Sequence, residues 1–282
     1  MSRGPLPAGA ELPEYRTSAR PPATHGENRI HEDGFARTYG FRGGLVPGVT
    51  VYAWMTHPIV AALGLEWLER GDFSARFAKP VYFGEPVTIV SRVADRADEG
   101  LGIESRVLNA AGEICATGGF SLESRAPAAP DVAAYPPAPL PDERPLVSRE
   151  WLAARPVLGT PVLELSESVA GEFLDRVSEP LPMFREPRAP AHPGLYLDQA
   201  NRGLDRNVRV SPWMHVESHG QHFGLARMGE RLETRVRVKS LFEKKGHEFV
   251  ELDLLLLADG TRPVASVRHV AIYKPRPPVR GR

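Results

Sequence analysis

Seven prolines fall within residues 127–145, among alanines and charged side chains, and this stretch constrains the fold more than any other part of the 282-residue chain. Proline lacks the N–H that ladders and helices need, and its ring holds φ near one value. The segment therefore reads as an extended bridge between two parts. The order of elements repeats on either side of it. On the N-terminal side, Pro47-Gly48 precedes an apolar pattern at Val51, Trp54, Met55, Ile59, Val60 and Leu63, the spacing of a helix that starts near Thr50. Strands are expected after it at 73–80, 87–93, 101–108 and 114–122. On the C-terminal side, Pro193-Gly194 precedes Leu195, Leu197, Ala200 and Leu204 in helical register, with strands expected at 214–223, 232–238, 249–257 and 264–273. Matching glycines keep nearly one separation: 146 residues from Gly48 to Gly194, 145 from Gly84 to Gly229, and 148 from Gly112 to Gly260. A steady offset through ordered landmarks is the signature of an internal duplication.

One long helix followed by several antiparallel strands, with hairpin turns at 110–112 and 258–260, gives an α+β unit. Two such units are expected, at 1–125 and 148–275, joined by the proline-rich bridge at 126–147 and followed by a basic tail at 276–282. Lys plus Arg equals Asp plus Glu at 35 each, so no global field recruits nucleic acid. No stretch approaches the ~20 apolar residues that cross a bilayer, and the N-terminus lacks the apolar core of a signal peptide. The expectation is a cytoplasmic protein without nucleic-acid or membrane partners. The single cysteine, Cys115, precludes an internal disulfide, and its place in an apolar strand reads as a buried thiol rather than a nucleophile.

The stretch from residue 25 to residue 48 carries the chemistry. A carboxylate (Glu27), an amide (Asn28) and an imidazole (His31) lie within five residues, and a glycine-rich turn then leads into the first long helix. Acid and base groups beside a helix N-terminus, whose first N–H groups have no intrahelical partner, make a layout for proton transfer next to a carbonyl oxygen. Asn28, Ile30, His31, Asp33, Ala36 and Gly40-Phe41 match the hydratase motif, so the chain resembles the MaoC-like, (R)-specific enoyl-CoA hydratases of the hotdog superfamily. Arg29 replaces the motif proline, and the motif aspartate falls on Gly26. The resemblance implies a double hotdog fold, two tandem units each with a long helix wrapped by an antiparallel sheet. It also implies acyl-CoA or another acyl thioester as partner, no metal or cofactor, and a monomer or homodimer.

The implied reaction is hydration of a 2-enoyl thioester, or its reverse, with His31 in acid/base work. Glu27 faces His31 if the segment is helical, at i and i+4, and is the candidate replacement for the missing aspartate. Asn28 orients a neighbour or caps a helix. Asp33 is expected to start a helix or to be a solvated charge. Gly44, Gly48 and Val49 are the candidate thioester-binding positions, with the Gly48 and Val49 amides as donors; Pro47 has no N–H to give.

The second unit has no comparable set and reads as a pseudo-subunit that kept shape and can line a tunnel. His192 stands where Val46 stands in the first unit. His215, His219 and His222 share a strand but lack a cysteine or carboxylate at metal-ligand spacing. Arg70, Arg76 and Lys79 are available to coenzyme A phosphates or are ordinary surface charge. Two other functions remain open: an acyl-CoA thioesterase, and a non-catalytic acyl-CoA-binding protein.

Overall fold

The computed structural model describes residues 6–21, 26–94 and 100–277. His25 and the last five residues of the basic tail lie outside the described residues. A short strand, β1 (Tyr15–Thr17), precedes α1 (Asp33–Thr38), the long helix α2 (Gly48–Leu63) and α3 (Leu65–Arg70). Strands β2 (Asp72–Phe77), β3 (Val87–Val93), β4 (Leu101–Leu108) and β5 (Ile114–Leu122) complete the first half. After the bridge come α4 (Arg149–Ala153), β6 (Val157–Leu158), β7 (Val162–Glu164), α5 (Glu167–Val177) and α6 (Pro193–Asp205). The last four strands are β8 (Met214–His222), β9 (Arg231–Lys244), β10 (His247–Ala258) and β11 (Arg262–Lys274).

All eleven strands join one antiparallel sheet in the order β1-β3-β4-β5-β2-β8-β11-β10-β9-β6, with β7 also on β9. Reading outward from the β2–β8 seam, each half repeats one strand order, and the seam pairs Phe73 with Gly220 and Ala75 with Ser218. The glycine landmarks keep their conformation as well as their spacing. Gly84 and Gly229 both have φ above +70°, at 77° and 98°, and so do Gly112 and Gly260, at 75° and 73°. Each glutamate that follows the first pair folds back onto the amide three residues upstream, Glu85 onto Tyr82 and Glu230 onto Arg227. This is the α+β double hotdog expected from the resemblance.

Helix α2 is buried almost all round, from Val49 through Val60, because the sheet wraps one side and α6 packs on the other. Small residues set the helix contact: a Cβ on Gly194 would sit 3.1 Å from the Cβ of Ala53. Trp54 donates Nε1–H to the carbonyl of Val177 at 2.8 Å, tying α2 to the end of α5. The polar side-chain groups buried with the helix are few, and Thr56 turns its hydroxyl back onto the Ala53 carbonyl at 2.8 Å, which suits an apolar core.

The proline-rich bridge is extended, with one tight turn at Val132–Ala134, but it is pinned rather than free. Tyr135 donates to the Asp253 carboxylate at 3.1 Å, Arg235 donates to the Tyr135 carbonyl at 3.1 Å, and the Arg237 guanidinium lies 4.2 Å over the Tyr135 ring. Cys115 is fully buried, and desolvation, with Glu85 and Glu113 nearby, raises its thiol pKa. No helix among the described residues is long and apolar enough to cross a membrane.

Candidate active site

Two hollows meet at the entrance of α2. The inner one, a cavity of about 340 Å³, is lined by residues of both halves, including His31, Gly48, Phe77, Asn201, Trp213 and His215. The outer one, about 380 Å³, has Gly26, Glu27, Asn28 and His31 on one wall and Asn201 and Asp205 of α6 on the other. His31 and Asn28 border both.

Asn28 caps the tight helical turn Arg29–His31, accepting from the Ile30 amide at 3.4 Å. It is also clamped by the opposite half: the Trp213 amide donates to its Oδ1 at 3.2 Å and its Nδ2 donates to the Trp213 carbonyl at 3.0 Å. This double contact fixes which end of the amide is which. Nδ2 therefore also faces His31 Nε2, at 3.3 Å, as a donor. On the other side of the ring, Nδ1 lies 2.7 Å from the Leu45 carbonyl, an acceptor, so the proton of the neutral imidazole sits on Nδ1. His31 Nε2 thus accepts from Asn28 at the border of both hollows, and the second half holds that arrangement through the Trp213 backbone.

Glu27 is brought to the outer hollow but turned away from a free role. Its side chain is 68% exposed and pairs with Arg144 at 2.6 Å, and this hydrogen bond holds the carboxyl below its ordinary range. Asp33 starts α1 and accepts the Gly44 amide at 2.8 Å. That amide is therefore engaged within the protein. Gly44 is needed for close approach, since a Cβ there would come within 2.2 Å of the His31 carbonyl oxygen.

Gly48 opens α2 after Pro47, two residues earlier than the apolar spacing predicts, and no side chain caps this end. The corresponding end of α6 differs. There His192 accepts the Gly194 amide through Nδ1 at 3.0 Å, and Phe173 and Phe184 pack on its ring. The duplicated position is plugged in the second half. In the first half Val46 cannot cap, and Gly48 faces the inner cavity. Val49 borders the outer hollow.

His215 is the residue that sequence reasoning missed. Strict alternation would place it with exposed His219, but the β8–β11 register slips between Val270 and Ala271, and this bulge turns His215 inward with Ser218 and His222. Its Nε2 meets Ser218 Oγ at 2.8 Å, and Ser218 Oγ meets His269 Nδ1 at 2.9 Å. Burial, then His269, lowers its pKa well below the ordinary value, against a raising backbone contact at Glu217. The neutral ring packs against α2, so a Cβ on Gly48 would lie 2.9 Å from its Nδ1. No carboxylate among the described residues lines the inner cavity.

Of the cations read as candidates for phosphate, Lys79 borders the inner cavity and pairs with Glu113 at 2.6 Å. Arg70 is bound to Glu66 and to the Glu123 carbonyl, and Arg76 pairs across the seam with Glu217 in the backbone register. Neither lines either hollow. The outer hollow has instead Arg144, Arg176, Arg202 and Arg206, which no sequence pattern singled out.

No protein-family model matches this sequence, and no curated protein does. Solved structures match over nearly the whole chain. A protein described as a MaoC domain dehydratase from Chloroflexus aurantiacus J-10-fl is 12% identical, with 96% of each chain covered and a TM-score of 0.65. A double hotdog protein of Mycobacterium tuberculosis is 15% identical, with 95% of this chain and 96% of that one covered and a TM-score of 0.62. A protein described as an oleoyl thioesterase from Lactobacillus plantarum is 13% identical, with 95% and 98% covered and a TM-score of 0.56. At these identities the likeness is one of fold.

Proposed function

We propose that the protein hydrates 2-enoyl thioesters, or dehydrates the 3-hydroxyacyl products, at the junction of the two hollows. The observation that carries this reading is the placement of His31 Nε2, an acceptor held through Asn28 and Leu45 at the border of the inner cavity beside the entrance of α2. In the hydration direction Nε2 exchanges its long contact with the Asn28 amide for water and takes a proton from it while the water oxygen bonds to C3. The π electrons move onto the thioester oxygen, which the Gly48 amide receives; as the carbonyl re-forms, C2 takes a proton from an acid in the hollow, and the proton on Nε2 returns through solvent to reload that acid. The acyl chain occupies the apolar inner cavity, and the arginine-rich outer hollow suits a phosphate-bearing carrier such as coenzyme A. Asn28 is a positioning residue, because both ends of its amide are committed to the Trp213 backbone.

Loss of the enoyl-thioester absorbance with crotonyl-CoA and longer 2-enoyl-CoAs tests the reading, with free-thiol release followed in parallel. Turnover without thiol release, abolished in His31→Ala, is the expected result. Thiol release instead would make the protein a thioesterase, and tight acyl-CoA binding without either signal would make it a binding protein.

A further inference from the structure

The motif aspartate is absent, and its position, Gly26, borders open space: among the described residues a Cβ built there meets nothing within 4 Å. That space is the outer hollow, which His31 also borders. Glu27 does not fill the gap, since Arg144 keeps it ionised and it has no proton to give at neutral pH. The opposite wall carries a carboxyl of the other kind. Asp205 closes α6, and its Oδ1 is buried without a hydrogen-bond partner among the described residues. One turn earlier on the same helix face, Asn201 Oδ1 is also buried and unpartnered. A carboxylate left without donors in a part-buried wall is a poor anion and a good neutral acid.

We propose that Asp205 is the second acid/base group of this site, supplied by the second half of the chain in place of the carboxyl lost at Gly26. This rests on the hydration reading. Asp205 gives its proton to C2 as the thioester carbonyl re-forms, while His31 Nε2 holds the proton taken from water; the C3–O and C2–H bonds form, and the water O–H and carboxyl O–H bonds break. The proton on His31 then returns to the Asp205 carboxylate through solvent in the hollow, which restores both groups. The charges facing Asp205 agree with this use. Burial pushes its carboxyl up to about 6, although Arg202, Arg206 and Arg144 pull it down; Asp198 pushes it up. Glu27, paired with Arg144, and Arg176, paired with Asp198, complete the charged wall. A pKa near the working pH is what an acid that must reload needs.

The test uses the full chain with crotonyl-CoA and, separately, saturated butyryl-CoA. Asp205→Asn should lower kcat about 100-fold or more and erase a pH-profile limb near 6, whereas Asp198→Asn and Glu27→Gln keep that limb. Gly26→Asp, placed in the Asp205→Asn protein, should recover at least 10-fold of the loss, because a Cβ at the motif position meets nothing among the described residues and borders the same hollow. Full turnover of Asp205→Asn, or no recovery with Gly26→Asp in a folded double variant, overturns the proposal. Carbon-13 titration of the Asp205 carboxyl with and without butyryl-CoA separates the two readings. If the wild type hydrates nothing but butyryl-CoA still shifts that titration by half a pH unit or more, hydration fails and Asp205 remains a site residue. If butyryl-CoA leaves it unmoved, Asp205 lies outside the site.

Discussion

A single methyl group at residue 48 tests how closely the two halves cooperate. In Gly48→Ala the new Cβ would meet His215 Nδ1 at 2.9 Å and His215 Cβ at 3.2 Å, where ordinary contact begins at 3.4 Å. Something must therefore give by about half an ångström. The ring is held by Ser218 at 2.8 Å and sits between Phe77 and His269, with ring centroids at 4.6 and 4.2 Å. The start of α2, which has no side-chain cap, is the weaker party. Overpacking of this kind costs about 1–3 kcal/mol, and the loss of backbone freedom in the unfolded chain on Gly→Ala returns about 0.4–1 kcal/mol, so net destabilisation is about 1 kcal/mol. Activity should suffer more. Donors of an oxyanion site must hold position to within ~0.5 Å; with ~100-fold lost at ~1 Å, a shift of half that size at the amide costs on the order of 10-fold, about 1.4 kcal/mol in the barrier. The measurement is kcat/KM for crotonyl-CoA beside the melting temperature. His215→Ala in the Gly48→Ala background should give back part of the loss, a coupling that a double-mutant cycle reads directly. A Gly48→Ala protein with unchanged kcat/KM and a higher melting temperature would refute the placement of the thioester oxygen at this entrance.

Other outcomes follow from the same geometry. Asn28→Ala should cut kcat by about 10- to 100-fold with little change in KM, since it releases His31 without removing it, and nitrogen-15 spectra of the imidazole should show the tautomer becoming mixed. Asp205→Asn should raise stability near pH 7 by about 1–3 kcal/mol and leave it unchanged at pH 4: a carboxyl raised to about 6 in the fold costs stability once the pH passes its unfolded value and approaches 6. Thermal melts across pH show the crossing. Glu179 gives the opposite sign. Burial would raise its pKa, but the His192 ring 3.4 Å away and hydrogen bonds from His57 and the Leu181 amide bring it down to about 2. Its contribution, on the order of 3 kcal/mol, is present above the unfolded carboxyl pKa and drains away as the pH falls from about 4.5 toward 2. Glu179→Gln should flatten that part of the acid-unfolding curve. His192→Val, which uncaps α6 and strips Glu179 of a partner, should destabilise by about 1–3 kcal/mol while hydration at His31 persists.

Much of the architecture was legible because it repeats. Period-two and period-3.6 apolar patterns located α2, α6 and eight strands, and the glycines at 84, 112, 229 and 260 marked the turns where a positive φ was needed. The elements that escaped are the small ones. β1 has three residues and exists because β3 offers it an edge; β6 and β7 dock on β9 for the same reason. α5 could have been found: Ser166 caps it, and Ala170, Phe173, Leu174 and Val177 keep helical spacing.

By itself the chain determined that two like units would pair, and that one of them would bring an asparagine and a histidine to the start of its long helix. Those facts are local, written in spacing that a backbone must obey. Tertiary structure alone decided what stands opposite. Trp213 fixes the orientation of Asn28, a bulge turns His215 inward, and α6 carries Asn201 and Asp205 to the wall across from Gly26. None of these lies near the motif in sequence, and strand parity misplaces His215. The reason is physical: the direction of a side chain depends on register and on the crossing of two helices, and both are settled only when the halves close on one another.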